Sequence, residues 1–197
     1  GGARTTTITS VSAQTSVTTQ TTSQFNTETT TATTQSASVI LNGAGATFPY
    51  PLLSAMIGSY QKVSPSVTIN YQSIGSGGGI SALIGKTVDF AASDAPLSDT
   101  DRTKAPNSLH IPETVGAVTV AYNIPDVPTG LHLTGKVIAD IFAGNVTSWK
   151  DPEIQSLNSG ISLPAKSILV VHRSDGSGTT FIFTGYLSAS STQWEAV

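Results

Sequence analysis

Polar and apolar residues follow different patterns in two parts of this 197-residue chain. Residues 1–38 contain 15 Thr and 6 Ser, and their only charged residues are Arg4 and Glu28. A segment of this composition buries too little apolar surface to offset the entropy lost on ordering. We therefore expect residues 1–38 to form a disordered, low-complexity segment. It serves either as a Ser/Thr-rich surface stalk open to O-glycosylation or as a plain leader.

From Val39 onward, short β-branched runs are each followed by small, glycine-rich residues and then by a helical stretch. Each such unit predicts a strand, a tight turn and a helix. Pro51 suits the first turn of the first helix. The three predicted units are strand 39–42 with helix 51–62, strand 67–71 with helix 80–85, and strand 167–172 with a helix beginning near Thr179. The apolar residues that fall on one face of the first helix are Leu52, Leu53, Met56, Ile57 and Tyr60.

The remaining pattern predicts an α/β fold. Further strands are expected at 88–94 and 113–122, and a polar helix near 139–142. Alternating strands and helices favour parallel sheets. Residues 123–130 interrupt the pattern with two prolines and a glycine, which predicts a crossover between two lobes. The first lobe is placed at 39–124 and the second at 125–197.

The starts of the three predicted helices share a chemistry that attracts anions. A helix start exposes unpaired backbone N–H groups and a partial positive charge, and neighbouring glycines let an anion approach the backbone. Taken singly, each turn is equally well an ordinary connection between a strand and a helix. A nucleotide site is not indicated, because no G-x-x-x-x-G-K-[ST] motif occurs. The hydroxyl donors at these starts are Thr47, Ser76, Ser177 and Thr179.

Asp94 follows the predicted strand at 88–94 and indicates which anion binds. An ionised carboxylate can only accept hydrogen bonds, so it favours an anion that carries a proton, as hydrogen phosphate does and sulfate does not. The alternative role of Asp94 is to cap the following turn. Arg173 ends the third strand and can pair with one face of a tetrahedral anion, while Asp175 is close enough to orient its guanidinium. The alternative is a surface arginine with no such role.

Charge and composition exclude several other classes of function. The net charge of −3 comes without any basic block, so binding to a run of nucleic-acid phosphates is not expected. Without cysteine there is neither a disulfide framework nor a thiolate metal site. The scattered His110, His132 and His172 indicate surface or packing residues rather than a metal cluster. No cofactor is expected. No apolar run approaches the roughly 18 residues of a membrane helix, so we expect any signal or anchor to lie outside this chain.

Four segments, 43–49, 71–78, 89–98 and 173–179, resemble in sequence and order the signature segments of the phosphate-binding protein of the high-affinity phosphate ABC transporter. The resemblance covers about 39–194 and implies a two-lobed, periplasmic-binding-protein-like (type II) fold that closes over an anion. Because members of that family are much longer, it also implies a chain truncated at its C-terminus. The implied function is non-enzymatic: an extracytoplasmic receptor, membrane-anchored at the cell surface or in the periplasm, that binds inorganic phosphate and delivers it to ABC permease subunits.

The resemblance also implies a role for each site residue. Asp94 accepts the proton of the ligand, and Arg173, held by Asp175, forms the ion pair. Backbone and hydroxyl donors at the three turns complete the implied site, with Gly77 supporting the second turn. The family often has a second basic residue where this chain has His172. The implied donors are Thr47, Phe48, Ser76, Ser177, Gly178 and Thr179.

Three other functions remain open from the residues alone. A serine hydrolase or phosphatase would use Ser177 as its nucleophile, but Asp175 stands where the G-x-S-x-G motif needs its first glycine. A non-catalytic surface protein would rely on the Thr-rich segment and on the Asn145-Val146-Thr147 glycosylation sequon. A receptor for sulfate or another oxyanion would keep the site and change its ligand, and Asp94 argues against sulfate.

Overall fold

The structure of the chain, a computed structural model, describes residues 7–12, 26–31 and 38–195. The chain divides into two compact units, Gly1–Val39 and Ile40–Val197. In the first, strands β1 (Thr7–Ser12) and β2 (Asn26–Thr31) pair in antiparallel register. The expectation of disorder is wrong for these two stretches, because their β-branched threonines favour extended backbone once a partner strand is present. The rest of 1–37 lies outside the described residues.

The second unit contains a three-stranded sheet. Strands β3 (Val39–Gly45), β4 (Val67–Ser73) and β5 (Phe90–Ala92) lie in the order β4-β3-β5. β3 and β5 are parallel, with Gly43 opposite Phe90 and Gly45 opposite Ala92. Together with the helices that follow these strands, the parallel pair confirms the predicted α/β fold class.

The described part of the chain contains seven helices, and three of them confirm predicted helices. The predicted helices at 51–62, at 80–85 and near Thr179 correspond to α1, α2 and α6. None of the helices in 7–12, 26–31 and 38–195 is long and apolar enough to cross a membrane. The helices are α1 (Tyr50–Val63), α2 (Ser76–Ile84), α3 (Asp99–Lys104), α4 (Gly135–Phe142), α5 (Pro152–Leu157), α6 (Gly178–Ser190) and α7 (Thr192–Glu195).

Helix α4 differs from its prediction. It is longer than 139–142 and begins after Thr134, whose hydroxyl accepts the Val137 N–H at 3.3 Å as an N-cap. The helix is amphipathic rather than polar, since Val137 and Ile141 are buried. They form a hydrophobic core with Val146, Ile154 and Leu163. The prediction missed this because the apolar residues begin before the range it considered.

The predicted apolar face of α1 is divided. Leu53 and Ile57 are half-buried, whereas the side chains of Leu52, Met56 and Tyr60 are 40%, 57% and 46% exposed. The periodicity therefore predicted the helix correctly. Only part of the apolar face is covered within the described residues.

Two predicted strands are wrong. Neither 113–122 nor 167–172 joins a sheet within the described residues, and Ser167 makes only an isolated bridge to Ser148. Many of their side chains are exposed, with Val115 at 93% and Leu169 at 87%, although Ile168 and Val170 are half-buried against the hydrophobic core of α4. A β-branched run favours extended backbone, but it becomes a strand only beside a partner. The predicted lobe boundary between 39–124 and 125–197 stays a prediction.

Helix α2 packs directly on the sheet through two glycines. A Cβ on Gly79 would overlap the Cα of Gly45 and lie 2.9 Å from the Ala44 carbonyl oxygen. Gly45 also has φ +142°, a conformation that favours glycine, and a Cβ there would overlap the Ala92 carbonyl. This close approach brings the start of α2 to the end of the sheet where β3 and β5 both terminate.

The hydrogen bonds of Asp140 in α4 make the stability of the fold depend on pH in the acid range. Its side chain is 6% exposed and accepts hydrogen bonds from Lys136 Nζ at 2.8 Å and Asn145 Nδ2 at 3.2 Å. The Lys136 hydrogen bond lowers the Asp140 pKa below its ordinary 3.8. A lowered folded-state pKa stabilises the fold above the unfolded-state value, and this stabilisation is lost as the pH falls through the folded-state pKa.

We expect acidification below about pH 4 to destabilise the protein, and Asp140→Asn to remove part of this acid dependence. Thermal unfolding followed by circular dichroism between about pH 2 and pH 7 measures it. Asp126→Asn is the matched control, because Asp126 is exposed and has φ +63°, which asparagine also adopts. Identical acid dependence in wild type and Asp140→Asn would contradict the assignment.

Candidate anion-binding site

Two helix starts and the end of β5 meet at Asp94. The Thr179 hydroxyl donates to Asp94 Oδ2 at 2.8 Å, and the Asp94 N–H donates to Ser76 Oγ at 3.4 Å. A Cβ on Gly178 would lie 2.5 Å from Ser76 Oγ and 2.8 Å from Asp94 Cβ. The structure therefore brings together four residues that the sequence predicted for one site.

The start of α2 is formed by Gly75 and Ser76. Gly75 precedes the helix with φ +81°, and Ser76, its first residue, is 3% exposed. Because Ser76 Oγ accepts the Asp94 N–H, the hydroxyl proton of Ser76 is still free to be donated. Ser76 is not among the residues that line the adjoining cavity.

The start of α6 is capped by Ser177. Its hydroxyl accepts the Thr180 N–H at 3.2 Å, so Ser177 is the N-cap of the helix. The Thr179 hydroxyl donates its one proton to Asp94, so in this arrangement it supports the carboxylate instead of offering a proton to an anion. What α6 can offer an anion is the backbone N–H groups of Gly178 and Thr179 at its start, because the Thr180 N–H is already bonded to Ser177.

The two glycine-rich turns touch each other through their backbones. The Gly77 N–H donates to the Gly176 carbonyl at 2.8 Å, and a Cβ on Gly77 would lie 3.0 Å from the Gly176 Cα. The hydrogen bond to Gly176 occupies one of the backbone N–H groups at the start of α2. Gly77 therefore supports the contact between the two glycine-rich turns instead of offering its N–H to a ligand.

Arg173 and Asp175 form an ion pair beside the start of α2. Arg173 Nε donates to Asp175 Oδ1 at 2.6 Å, and Nη2 donates to Oδ2. These hydrogen bonds raise the Arg173 pKa and lower the Asp175 pKa. A Cβ on Gly75 would lie 2.7 Å from Asp175 Oδ2 and 3.3 Å from Arg173 Nη2. The predicted pairing of Arg173 with Asp175 is therefore present, next to the residue that precedes Ser76.

A cavity of about 460 Å³ adjoins this cluster. Asp94, Thr179 and Phe48 all line it, while apolar residues of α2 and of the extended segment 108–118 line other parts of its wall. Thr47 is exposed and is not among the lining residues, although it directly precedes Phe48. The cavity wall therefore carries the carboxylates of Asp94 and Glu113 and, through Thr179, the first turn of α6, on an otherwise largely apolar surface.

The loop after Asp94 is held by two residues whose roles the sequence did not reveal. The Leu97 N–H donates to His110 Nε2 at 3.1 Å, and Arg102 Nε donates to the Leu97 carbonyl at 3.3 Å. His110 and Glu113 also line the cavity. No local pattern connects residues so far apart in sequence to Asp94. Within 7–12, 26–31 and 38–195, no cluster of three or more His, Asp or Glu side chains is arranged to hold a metal.

Gly178→Ala is expected to disrupt the cluster. The added methyl group would lie 2.8 Å from Asp94 Cβ and 2.9 Å from the Asp94 backbone nitrogen, which cannot move aside cheaply. Overpacking of this kind costs about 1–3 kcal/mol. The matched control is Gly185→Ala in the same helix, where a Cβ would have no neighbour within 4 Å. Denaturant unfolding should show lower stability for Gly178→Ala only, and equal stability of the two variants would contradict the packing described.

Comparison with known proteins identifies the family. Residues 5–197 match the family described as the PBP superfamily domain. The chain belongs to this superfamily, which agrees with the periplasmic-binding-protein-like α/β fold expected from the sequence.

Two of the curated relatives of this chain are phosphate-binding proteins. The chain is 47% identical over 164 residues to the phosphate-binding protein PstS of Pasteurella multocida, covering 83% of this chain and 46% of that protein. It is 42% identical over 165 residues to the phosphate-binding protein PstS of Methanocaldococcus jannaschii, covering 80% of this chain and 42% of that protein. The chain thus spans about half the length of the curated relatives it matches.

A solved structure shares the fold. It is a Clostridium perfringens protein assigned as a phosphate ABC transporter substrate-binding protein, with phosphate bound. The TM-score is 0.56 at 24% sequence identity, and the match covers 75% of this chain and 56% of that one. At this identity the comparison supports the fold alone.

Proposed function

We propose that this chain is the phosphate-recognising part of an extracytoplasmic receptor that delivers hydrogen phosphate to an ABC importer. The observation that carries the proposal is the position of Asp94, on a cavity wall between the starts of α2 and α6. The names of the relatives that are 42–47% identical to this chain support the same ligand.

The hydrogen bonds of Asp94 favour a protonated anion. Its Oδ2 accepts the Thr179 hydroxyl, and among the described residues Oδ1 receives no hydrogen bond. An ionised carboxylate has no proton to give, so Oδ1 can only accept one from the ligand. Hydrogen phosphate supplies that proton, whereas sulfate would bring two unpaired acceptors together at a cost of about 1–3 kcal/mol or more. Asp94 is therefore the proposed determinant of specificity.

The remaining residues supply donors and positive charge. Backbone N–H groups of Gly178 and Thr179 at the start of α6, and those of Thr47 and Phe48 before α1, are the proposed ligand donors. The Arg173 guanidinium provides the positive charge that pairs with the anion. The hydroxyls of Ser76 and Ser177 are further proposed donors, and Asp175 and Gly77 hold Arg173 and the junction of the turns in place.

The proposed receptor works at the cell envelope. Its proposed partners are the permease subunits of an ABC transporter. Its place is the cell surface or periplasm, with attachment to the membrane through a segment outside this chain. Residues 39–124 and 125–197 form the two lobes, and 1–38 form the stalk or leader. The names of the relatives support the phosphate-binding role from which this setting follows.

Binding is favoured over catalysis by the hydrogen bonds of Ser177. Its hydroxyl accepts the Thr180 N–H, and no hydrogen bond among the described residues joins Ser177 to a histidine. A serine nucleophile requires a base within hydrogen-bond reach. The arrangement therefore fits a helix cap better than a hydrolase.

Equilibrium dialysis with radioactive phosphate tests the proposed function. We expect one phosphate to bind per chain and a large excess of sulfate to leave it bound. A phosphomonoester incubated with the protein should release no phosphate. Absence of phosphate binding by the folded chain would refute the proposal, and displacement by equimolar sulfate would refute the role of Asp94 in selectivity.

A further inference from the structure

Tyr71 of β4 lies beneath the turn that precedes α1. Its ring stacks between Tyr50 and Phe90, with ring centroids 6.1 Å apart in both pairs. Its hydroxyl donates to the Ala46 carbonyl oxygen at 2.7 Å. A side chain of the neighbouring strand therefore holds the residue immediately before Thr47.

Ala46 is fixed from two directions. Its N–H donates to the Ala92 carbonyl at 2.8 Å, at the end of β5, while its own carbonyl accepts the Tyr71 hydroxyl. Ala46 is 1% exposed. The preceding residue, Gly45, accepts the Ile74 N–H at 3.0 Å. The backbone that enters the turn is thus anchored to β5 and to the end of β4.

The planarity of the peptide bond carries this anchoring to the next residue. The Ala46 carbonyl and the Thr47 N–H belong to one peptide unit, and in the trans form they point in opposite directions. No cis peptide bond occurs in the described chain. A hydrogen bond that fixes the direction of the Ala46 carbonyl therefore also fixes the direction of the Thr47 N–H.

We propose that Tyr71 is a positioning residue of the oxyanion site, whose hydroxyl sets the direction in which the Thr47 N–H is presented to the ligand. This inference rests on the proposed function, because it assigns the Thr47 N–H to phosphate. Tyr71 itself does not contact the ligand. It acts on any oxyanion alike, whereas Asp94 discriminates between protonated and unprotonated ones.

Burial keeps the Tyr71 hydroxyl protonated. Burial first, and then the negative charges of Glu113 and Asp94, raise the Tyr71 pKa from 10.0 to about 12. The phenol therefore remains a donor across the neutral and mildly alkaline range. A raised folded-state pKa gives stability that is complete below the unfolded-state value and is lost as the pH rises through the folded-state value.

Tyr71→Phe tests the inference, with Tyr50→Phe as the matched control. Each change removes one hydroxyl from the same aromatic stack and keeps the ring, but only the Tyr71 hydroxyl bonds to Ala46. Calorimetry should show about fivefold weaker phosphate binding for Tyr71→Phe, the effect expected from one hydrogen bond. Binding of sulfate, where measurable, should weaken by the same factor. Tyr50→Phe should bind as the wild type does.

A spectroscopic measurement separates positioning from a general loss of structure. Labelling Ala carbonyl carbons with ¹³C and Thr nitrogens with ¹⁵N yields correlated signals only from Ala32–Thr33 and Ala46–Thr47, the two Ala-Thr pairs in the sequence. Tyr71→Phe should shift the Ala46 carbonyl signal, and Tyr50→Phe should not. In the wild type, phosphate should shift the Thr47 amide signal, and this measurement does not depend on any variant folding.

The outcomes distinguish the two proposals. If neither the wild type nor Tyr50→Phe binds phosphate, the proposed function fails. If both bind phosphate and Tyr71→Phe binds it equally well, the role of Tyr71 is refuted. A wild-type Thr47 amide signal that phosphate leaves unchanged also refutes it. A loss in Tyr71→Phe that alters the phosphate-to-sulfate ratio would overturn the assignment to positioning.

Discussion

Asp94→Asn is expected to lower the preference for phosphate over sulfate by at least about tenfold, mainly by weakening phosphate binding and permitting sulfate. The asparagine amide has the shape of the carboxylate but can donate as well as accept. It can therefore pair with an oxyanion that carries no proton. The Thr179 hydroxyl, which donates to Asp94 Oδ2 at 2.8 Å, can keep its bond to the amide oxygen. Calorimetric titration of wild type and variant with both anions measures the ratio of the phosphate affinity to the sulfate affinity.

Asp99→Asn is the control for this change. Asp99 is an exposed residue in the first turn of α3, and its substitution alters the net charge equally. Its phosphate-to-sulfate preference should match that of the wild type. If Asp94→Asn also keeps the wild-type preference, Asp94 does not select the protonated anion.

Arg173→Ala is expected to weaken binding of phosphate and sulfate alike, by roughly 10- to 100-fold, because a hydrogen bond to a charged group contributes about 1.5–3 kcal/mol. The guanidinium is held by Asp175, so removing it also leaves that carboxylate without its partner. Arg173→Lys should have an intermediate effect, since an ammonium group keeps the charge but lacks the two-pronged geometry. Calorimetric titration in low-salt buffer measures the affinities of the wild type, Arg173→Ala and Arg173→Lys for phosphate and sulfate.

The matched control for the charge of Arg173 is Lys166→Ala. Lys166 is exposed, and its removal lowers the positive charge by the same amount. The control should retain wild-type affinity. Unaltered affinity in Arg173→Ala would show that the guanidinium lies away from the ligand.

The sequence predicted those parts of the fold that depend on local pattern. The helices α1, α2 and α6 and the strand β4 follow from periodicity and from the position of glycines. The strands expected at 113–122 and 167–172 failed because pairing depends on a partner that local sequence does not reveal. The antiparallel pair β1–β2 was missed for the complementary reason, since a Thr-rich composition does not disclose that two such stretches pair.

For the predicted site, the agreement between expected and observed contacts differs from residue to residue. Ser76, Asp94, Gly178 and Thr179 lie together because the start of α2 packs at the ends of β3 and β5, and the turn before α6 is hydrogen-bonded to the start of α2. The donation of the Thr179 hydroxyl to Asp94 was not expected, because the direction of a hydroxyl depends on its neighbours in three dimensions. The ligand roles of all these residues remain predictions.

Other supporting contacts could not be read from the sequence. Tyr71 and Ala46 are 25 residues apart, and His110 and Leu97 are 13 apart. Neither pair matches a recognised motif. Such contacts become visible only when the packing of β4 on β3 and the path of the segment after Asp94 are known.

A crystal structure of the chain grown with phosphate tests the central claim most directly. We expect a tetrahedral ligand in the cavity beside Asp94, with one oxygen within hydrogen-bond distance of Oδ1 and others facing the first turn of α6. Phosphate bound elsewhere, with the Asp94 carboxylate free of it, would contradict the assignment of this site.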